Sequence, residues 1–253
     1  MLAAERMSRI VEILNKERSA KVEDLAHLLD VSEMTIRRDL EKCRRAGIID
    51  RCHGGAVLKE ESMAEICYAD KSVQHQDEKQ RLAFFCAALV QPGDSVYLDA
   101  GTTTFEIAKL LGKIPGITVI TNDLETALLL SGSEAEVLVV GGLVQKSTGS
   151  LLGQAATQVV QGLRASVAFI GAASINNELD VMTPTMEKAF LKRAATQCAT
   201  ESYLVVDASK FHRQALYKIN HLSDYTGVVT TRDFGAQEQR RMAEEGVQLI
   251  HIE

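Results

Sequence analysis

Met7, Ile10, Val11 and Leu14 fall at helical spacing and predict a first helix of about three turns. A second short helix follows in "KVEDLAHLL", with Val22, Leu25, Leu28 and Leu29 on one face. "DVS" breaks it, and Ser32 is placed to cap a third helix, since its hydroxyl can accept an amide left open at the helix start. In that third helix Ile36, Leu40 and Cys43 recur at i, i+4 and i+7 and face inward. Gly47 is placed to end it. Two short apolar runs in "IIDRCHGGAVL" then predict a β-hairpin turning at Gly54 and Gly55. Residues 59–75 are polar without sustained period and read as a linker, with a helix starting near Asp77. Beyond it the pattern changes. Apolar, β-rich runs "SVYLD", "ITVIT", "EVLVVG", "SVAFIG", "SYLVVD" and "TGVVTT" each precede a loop and, mostly, a helical stretch. That alternation predicts a parallel sheet with helices on its faces. The expected division is 1–58, a small three-helix unit with a wing; 59–75, a linker; and 76–253, a larger α/β domain.

Composition narrows the class. The chain has 253 residues, 46% hydrophobic and 25% charged, enough for two ordinary globular cores. Its longest apolar run, "LAFFCAALV", is about half of what a bilayer needs, so no membrane segment is expected. "MLAAERMSRI" lacks the apolar centre of an export signal. Five cysteines lie scattered without CxxC spacing, which suits a reducing cytoplasm and argues against a disulfide framework or a zinc site.

Net charge is −6, which alone would argue against nucleic acid. The distribution reverses that reading. Residues 1–59 hold 12 Lys and Arg against 10 Asp and Glu, and the remainder holds 16 against 24. An acidic body repels DNA and leaves the N-terminal face to make the contact. With Ile36, Leu40 and Cys43 inward, Met34, Arg38 and Arg45 point directly away from the core. Thr35 and Lys42 lie on one shoulder, Arg37 and Arg44 on the other. A helix with an apolar back and a basic front, after a helix and a tight turn, fits a major groove. Arg51 and His53 sit near the wing tip. The expected DNA-contacting set is Ser32, Met34, Thr35, Arg37, Arg38, Arg44, Arg51 and His53.

"VSEMTIRRDLEKCRRAGIIDRCHGGA" resembles the signature of the DeoR-type bacterial transcriptional regulators, whose winged helix-turn-helix ends in a wing carrying His-Gly-Gly. Ser32, Thr35 to Leu40, Arg51 and His53 to Gly55 match in order and spacing. Cys43 departs from the aliphatic residue usual at its position.

In a parallel sheet, ligands bind beyond the carboxyl ends of the strands. There "LDAGTTTFEIAKLL" places Asp99, Gly101, Thr102, Thr103 and Thr104 at a helix start, where open amides and hydroxyls suit a phosphate. Asp99 suits a sugar hydroxyl or a helix cap. Thr121 and Asn122 stand at the next helix start, and Gly171 follows "SVAFI". Lys146 lies in "VVGGLVQKSTGS", and Asp207 and Lys210 in "VVDASKF". No Walker or dinucleotide glycine fingerprint is present, so no cofactor is expected. "LDAGTTT", "TND", "VVGG", "FIGAASI" and "DASKF" also resemble, in order, the landmarks of the DeoR sensor domain. That resemblance implies a fold like ribose-5-phosphate isomerase and CoA-transferase-like proteins, and a phosphorylated sugar or polyol as effector. Where many members carry an arginine after "VVGG", this chain has Gln145, with Lys146 beside it.

The expected function is a repressor that releases operator DNA on binding a phosphosugar. The alternative is a sugar-phosphate isomerase carrying a DNA-binding head. An enediol mechanism needs a positioned carboxylate, and "GAASIN" offers no acid before Glu178; Glu187 and Lys188 lie in "TMEKAFLKRAA", which also reads as a charged helix face. One helix reads too few base pairs for a genome-sized search, so a homo-oligomer, at least a dimer held by the larger domain, is expected.

Overall fold

The computed structural model describes residues 6–7, 9–10, 13–14, 19–45, 49–52, 54–58 and 68–252; at 45, 50–52, 57–58 and 69–70 only the backbone is described. The chain divides into two compact units, Met1–Ala64 and Glu65–Glu253.

In the N-terminal unit, residues 6, 7, 9, 10, 13 and 14 are helical. The strand β1 (Ser19–Lys21) follows, then the helices α1 (Val22–Leu28) and α2 (Glu33–Arg45), and the strands β2 (Ile49–Cys52) and β3 (Gly55–Leu58). The three strands form an antiparallel sheet in the order β1-β3-β2, with Arg51 opposite Ala56 in the hairpin. Ile10, Leu14, Val22, Leu25, Leu29, Ile36, Leu40 and Cys43 join Ile49 and Ala56 in one core. The helical periods therefore located the inward face, apart from Leu28, which is exposed. The strand β1 is too short to show a period of its own. It fixes Gly55 physically: a Cβ there would lie 2.3 Å from the carbonyl oxygen of Ala20. The tip glycine Gly54, at φ +80°, uses the left-handed region. Asp39 is buried and accepts from Arg6 Nε at 2.6 Å, tying α2 to the first helical segment.

The second unit opens with α3 (Tyr68–Ser72), inside the stretch read as linker, and α4 (Gln76–Ala88). Its main sheet holds β4 (Ser95–Leu98), β5 (Thr118–Thr121), β6 (Glu136–Val139), β9 (Ala165–Ile170), β12 (Ala199–Val206), β14 (Gly227–Thr230) and β15 (Leu249–His251). All pairings in it are parallel, in the order β15-β14-β12-β9-β4-β5-β6. The helices α5 (Thr102–Leu111), α6 (Leu124–Leu130), α7 (Gln154–Gln161), α8 (Met186–Gln197) and α9 (Ala236–Glu244) connect these strands. One core packs α4 and α5 against one sheet face through Leu82, Cys86, Ile107 and Leu111. The other packs α7, α8 and α9 against the opposite face through Val160, Leu191, Ala195 and Met242. The result is a three-layered α/β/α unit.

Six of these strands are the apolar runs of the sequence. The additions are β15, parallel at the sheet edge, and short antiparallel strands: a hairpin of β7 (Leu143–Gln145) and β8 (Ser150–Leu152), and a small sheet of β10 (Ser174–Ile175), β11 (Asp180–Thr183) and β13 (Tyr217–His221). Strand order reverses beside β4. The chain runs outward through β5 and β6, then returns to β4's other side with β9. In open α/β sheets the crevice for a ligand forms at that reversal.

Candidate functional site

The DNA-reading helix comes first. Ser32 accepts the Thr35 amide on its hydroxyl at 3.3 Å, and its carbonyl accepts from Thr35 and Ile36. It thus caps α2, and its side chain is held further by the Thr35 hydroxyl at 2.9 Å. Met34 is 71% exposed. Arg37 and Arg44 are exposed but lie against acids of their own helix, Glu33 at 3.0 Å and Glu41 at 2.8 Å. Arg38 and Lys42 are exposed and have no ion pair among the described residues. The Arg51 side chain and His53 lie outside the described residues.

At the carboxyl edge of the large sheet, the loops after β4 and β9 flank the reversal. Asp99, 1% exposed, accepts the Gly171 amide at 3.0 Å and forms a short ion pair with Lys192. Lys192 Nζ also donates to the Gly171 carbonyl at 2.9 Å. Asp99 was expected to hold a sugar hydroxyl or cap a helix. Lys192 from α8 pairs with one of its oxygens. α5 begins at Thr102 with Gly101 before it and no side-chain cap, so its first amides stay open.

Three residues expected to contact the ligand spend side-chain groups on the loops themselves. The Thr104 hydroxyl is buried and donates to the carbonyls of Asp99 and Gly101 at 2.6 and 2.9 Å. The buried Thr121 hydroxyl donates to the Leu98 carbonyl at 2.9 Å and accepts the Asp123 amide. Asn122 accepts the Ala100 amide at 3.0 Å and the Tyr97 hydroxyl at 3.1 Å through one oxygen, and donates to the Leu151 carbonyl. Thr104 closes the loop after β4 on itself, and Thr121 and Asn122 fasten the ends of β4 and β5 together. The hydroxyls of Thr102 and Thr103 remain without a partner among the described residues.

Asp123, beside this edge, caps α6 through the Glu125 amide at 3.1 Å. Burial pushes its carboxyl up to about 6, against hydrogen bonds from Glu125, Thr126 and Gly101 that pull the other way. Three strands away, after β12, Asp207 accepts the Ser209 amide at 2.9 Å, and Lys210 Nζ stands 3.8 Å from its other oxygen. Burial raises the Asp207 carboxyl, but Lys210 and Ser209 outweigh it and hold the pKa below its usual value. Lys146 is exposed on the β7–β8 turn.

The sequence reading missed Lys192, Lys79, Glu78 and Tyr68. Lys188 and Lys192 on α8, read there as part of a charged face, are both buried, while Glu187 is exposed. Their spacing of four is a one-face signal, but nothing local says which face is inward. Lys79 and Glu78 ride on α4, with Glu78 accepting from the Thr231 hydroxyl and the Ala208 amide. Tyr68 packs edge-on against Phe105 of α5, its ring centroid 6.3 Å away.

A winged helix-turn-helix with an exposed basic front, carried on one chain with a parallel α/β unit, defines a two-part DNA-binding regulator. Residues 6–62 match the DeoR-like helix-turn-helix domain, and residues 74–232 match the DeoR C terminal sensor domain. The chain belongs to the DeoR family of transcriptional regulators. It is 33% identical to an HTH-type transcriptional regulator of Haemophilus influenzae over all of this chain and 98% of that one. It is 31% identical to the HTH-type transcriptional regulator GlpR of Haloferax volcanii, over 99% of this chain and 98% of that one. The lactose phosphotransferase system repressor of Streptococcus mutans is 30% identical over 91% and 92%. These names place the chain among transcriptional regulators rather than enzymes. Among solved structures, a ribose-5-phosphate isomerase in complex with phospho-erythronic acid overlaps 54% of each chain at 17% identity and a TM-score of 0.41. The eIF2B delta subunit of Chaetomium thermophilum overlaps 64% of this chain and 58% of that one, at 18% identity and a TM-score of 0.47. No helix among the described residues is long and apolar enough to cross a membrane.

Proposed function

We propose that this protein is a cytoplasmic repressor of a carbohydrate-utilisation operon, and that a phosphorylated sugar or polyol binding the sensor unit releases it from operator DNA. The observation that carries this reading is the crevice at the strand reversal. There the open amides of α5 and the hydroxyls of Thr102 and Thr103 follow β4, Lys192 of α8 reaches Asp99 beside them, and Lys210 follows β12, two strands along. Amides at a helix start and ammonium groups suit a phosphate, and the Asp99–Lys192 pair beside them suits hydroxyls. Lys210 is the better counter-cation than the exposed Lys146, because it already sits at a strand end. On the DNA side, Arg38, Met34 and Thr35 face base edges, and Arg37, Arg44, Lys42 and Arg51 meet phosphates. His53 belongs to the same surface by its place in the wing.

A second copy of the chain would double the site read on DNA. The face for it is the open edge of the sheet at β6, where Leu124, Leu128, Leu138, Val139, Leu143 and Val144 are all exposed. An unpaired edge strand with apolar neighbours is otherwise an aggregation hazard.

The test is a pair of titrations of the full chain with a panel of hexose, pentose and polyol monophosphates, with and without operator DNA. Linkage requires the effector to bind more weakly to the DNA complex by the factor by which it weakens DNA binding. A coupling of roughly 5–150-fold is expected. Equal effector affinity in both titrations rejects the switch, and Thr103→Asp protein that binds the effector normally removes the site from this loop.

A further inference from the structure

α7 carries no charged residue. Its sequence, "QAATQVVQ", leaves Gln154, Ala155, Gln158, Val159 and Gln161 on the surface. In a chain that is 25% charged, a helix face turned only to water ordinarily carries Lys, Arg, Asp or Glu. α8 departs in the same way beside it: Met186 and Phe190, one turn apart, are 46% and 49% exposed. A groove of about 560 Å³ runs between the two helices, with Gln154, Gln158 and Gln161 on one side and Phe190, Ala194 and Gln197 on the other. The charged residues lining it are one acid, Glu187, and one base, Arg193. Arg193 spends its guanidinium on the carbonyls of Ile219 and Lys218, both at 2.9 Å. The side-chain amides of the four glutamines have no partner among the described residues.

Charge selects the occupant. Residues 60–253 hold 16 Lys and Arg against 24 Asp and Glu, so two copies of this part of the chain repel over most of their surface. They approach most readily where acids are not in excess, and the groove is such a place. A partner of strong charge, such as nucleic acid or a polybasic segment, finds no opposite charge there to meet. A carboxamide has both an acceptor oxygen and donor hydrogens, so one glutamine surface satisfies another without a counter-charge. A two-fold contact sets the same patch on both sides, and that one patch must offer both a projection and a hollow. Phe190 supplies the projection, and the groove beside it supplies the hollow. Aromatic and methionine side chains with few charges also make up the centres of protein interfaces.

We propose that the α7–α8 groove is a two-fold interface for a second copy of this chain, with Phe190 of each copy entering the groove of the other. This contact lies on the helical layer over one sheet face, apart from the β6 edge. It rests on no property of the effector crevice. Two different two-fold contacts on one chain join pairs into a closed set of four.

The test is analytical ultracentrifugation of the full chain across micromolar concentrations, with amide hydrogen exchange at residues 154–161 and 186–197. The variants are Phe190→Glu, the double change Gln154→Glu with Gln158→Glu, and Leu128→Glu at the β6 edge. All these side chains are exposed, so circular dichroism of the dilute proteins should match wild type. Wild type is expected to assemble, with exchange in both helices slowing as concentration rises. Phe190→Glu should weaken the groove contact by roughly 30-fold or more. The double glutamate variant should weaken it too, because each copy then brings like charges to the other. Leu128→Glu should leave the concentration-dependent protection of α7 and α8 in place. If wild type forms only pairs and both groove changes split them, the groove is the pair contact and the β6-edge reading falls. If either groove change leaves assembly as in wild type, the groove proposal falls and the β6-edge reading stands. A monomeric wild type overturns both.

Discussion

On the DNA-reading helix, Arg37 is half exposed and 3.0 Å from Glu33; in the sensor unit, the Lys192 side chain is 9% exposed and held against Asp99. Both are ion pairs, and they behave differently. In water the Arg37–Glu33 pair gains little, and either partner exchanges it freely for a phosphate. Arg37 and Arg44 thus keep their charge on the surface until DNA arrives. Inside the crevice neither partner can turn to water, so Lys192 and Asp99 fix each other and the two loops they join. Charge on the DNA-binding unit's third helix stays in water, and charge between the strand-end loops is buried and braced.

The sharpest way to break this comparison is Lys192→Ala. It strands the Asp99 carboxylate, and should destabilise the sensor unit by about 3–5 kcal/mol in urea unfolding. Lys192→Met combined with Asp99→Asn should recover most of the loss. A small effect of Lys192→Ala alone would mean that water reaches the pair.

Asp123 gives the next effect, through pH. Its folded pKa lies at about 6, above the ordinary aspartate value, so the folded chain holds the proton more tightly than the unfolded one. The stabilisation from that proton is complete below about pH 4 and is lost as pH rises through about 6, a change of about 3 kcal/mol. Glu78 and Asp207, whose pKa values are lowered, act in the opposite sense, but they are common to both proteins in a comparison with Asp123→Asn. Wild type should therefore lose stability relative to Asp123→Asn between pH 4 and 6; a constant difference would show that the carboxyl is not held in a desolvated state.

On the exposed side, Arg38→Ala should cost about 1–3 kcal/mol on the operator and relax base preference, while Arg37→Ala weakens all sequences alike and flattens the salt dependence. Wild-type operator affinity in Arg38→Ala protein would mean that the helix enters the groove by another face. Smallest of all, Glu33→Gln should change thermal stability by no more than about 0.5 kcal/mol. A loss comparable to that of Lys192→Ala would erase the distinction between the two regions.

How much of this was legible in the chain depends on the reach of each signal. A period of 3.6 located Ile36, Leu40 and Cys43 in the core, and by subtraction placed Met34, Arg38 and Lys42 outside. The six apolar runs identified the parallel strands because both faces of that sheet are covered. The loops Asp99–Thr104 and Asp207–Lys210 were found by their place after strands. The roles within them were not. Thr104 and Thr121 carry the same hydroxyl as Thr102 and Thr103, yet spend it on backbone carbonyls, and no local pattern tells a hydroxyl fixed to a backbone from one left open.

The sequence by itself determined the two-part organisation, the family, the basic front of the third helix and the polar loops at the strand ends, because each follows from residues close together along the chain. Only the tertiary structure decided that α8 brings Lys192 to Asp99, 93 residues earlier. It also decided that α4 turns Lys79 inward. The burial of a lysine depends on what packs above it, and those neighbours come from distant segments whose approach leaves no periodic mark on the lysine's own helix.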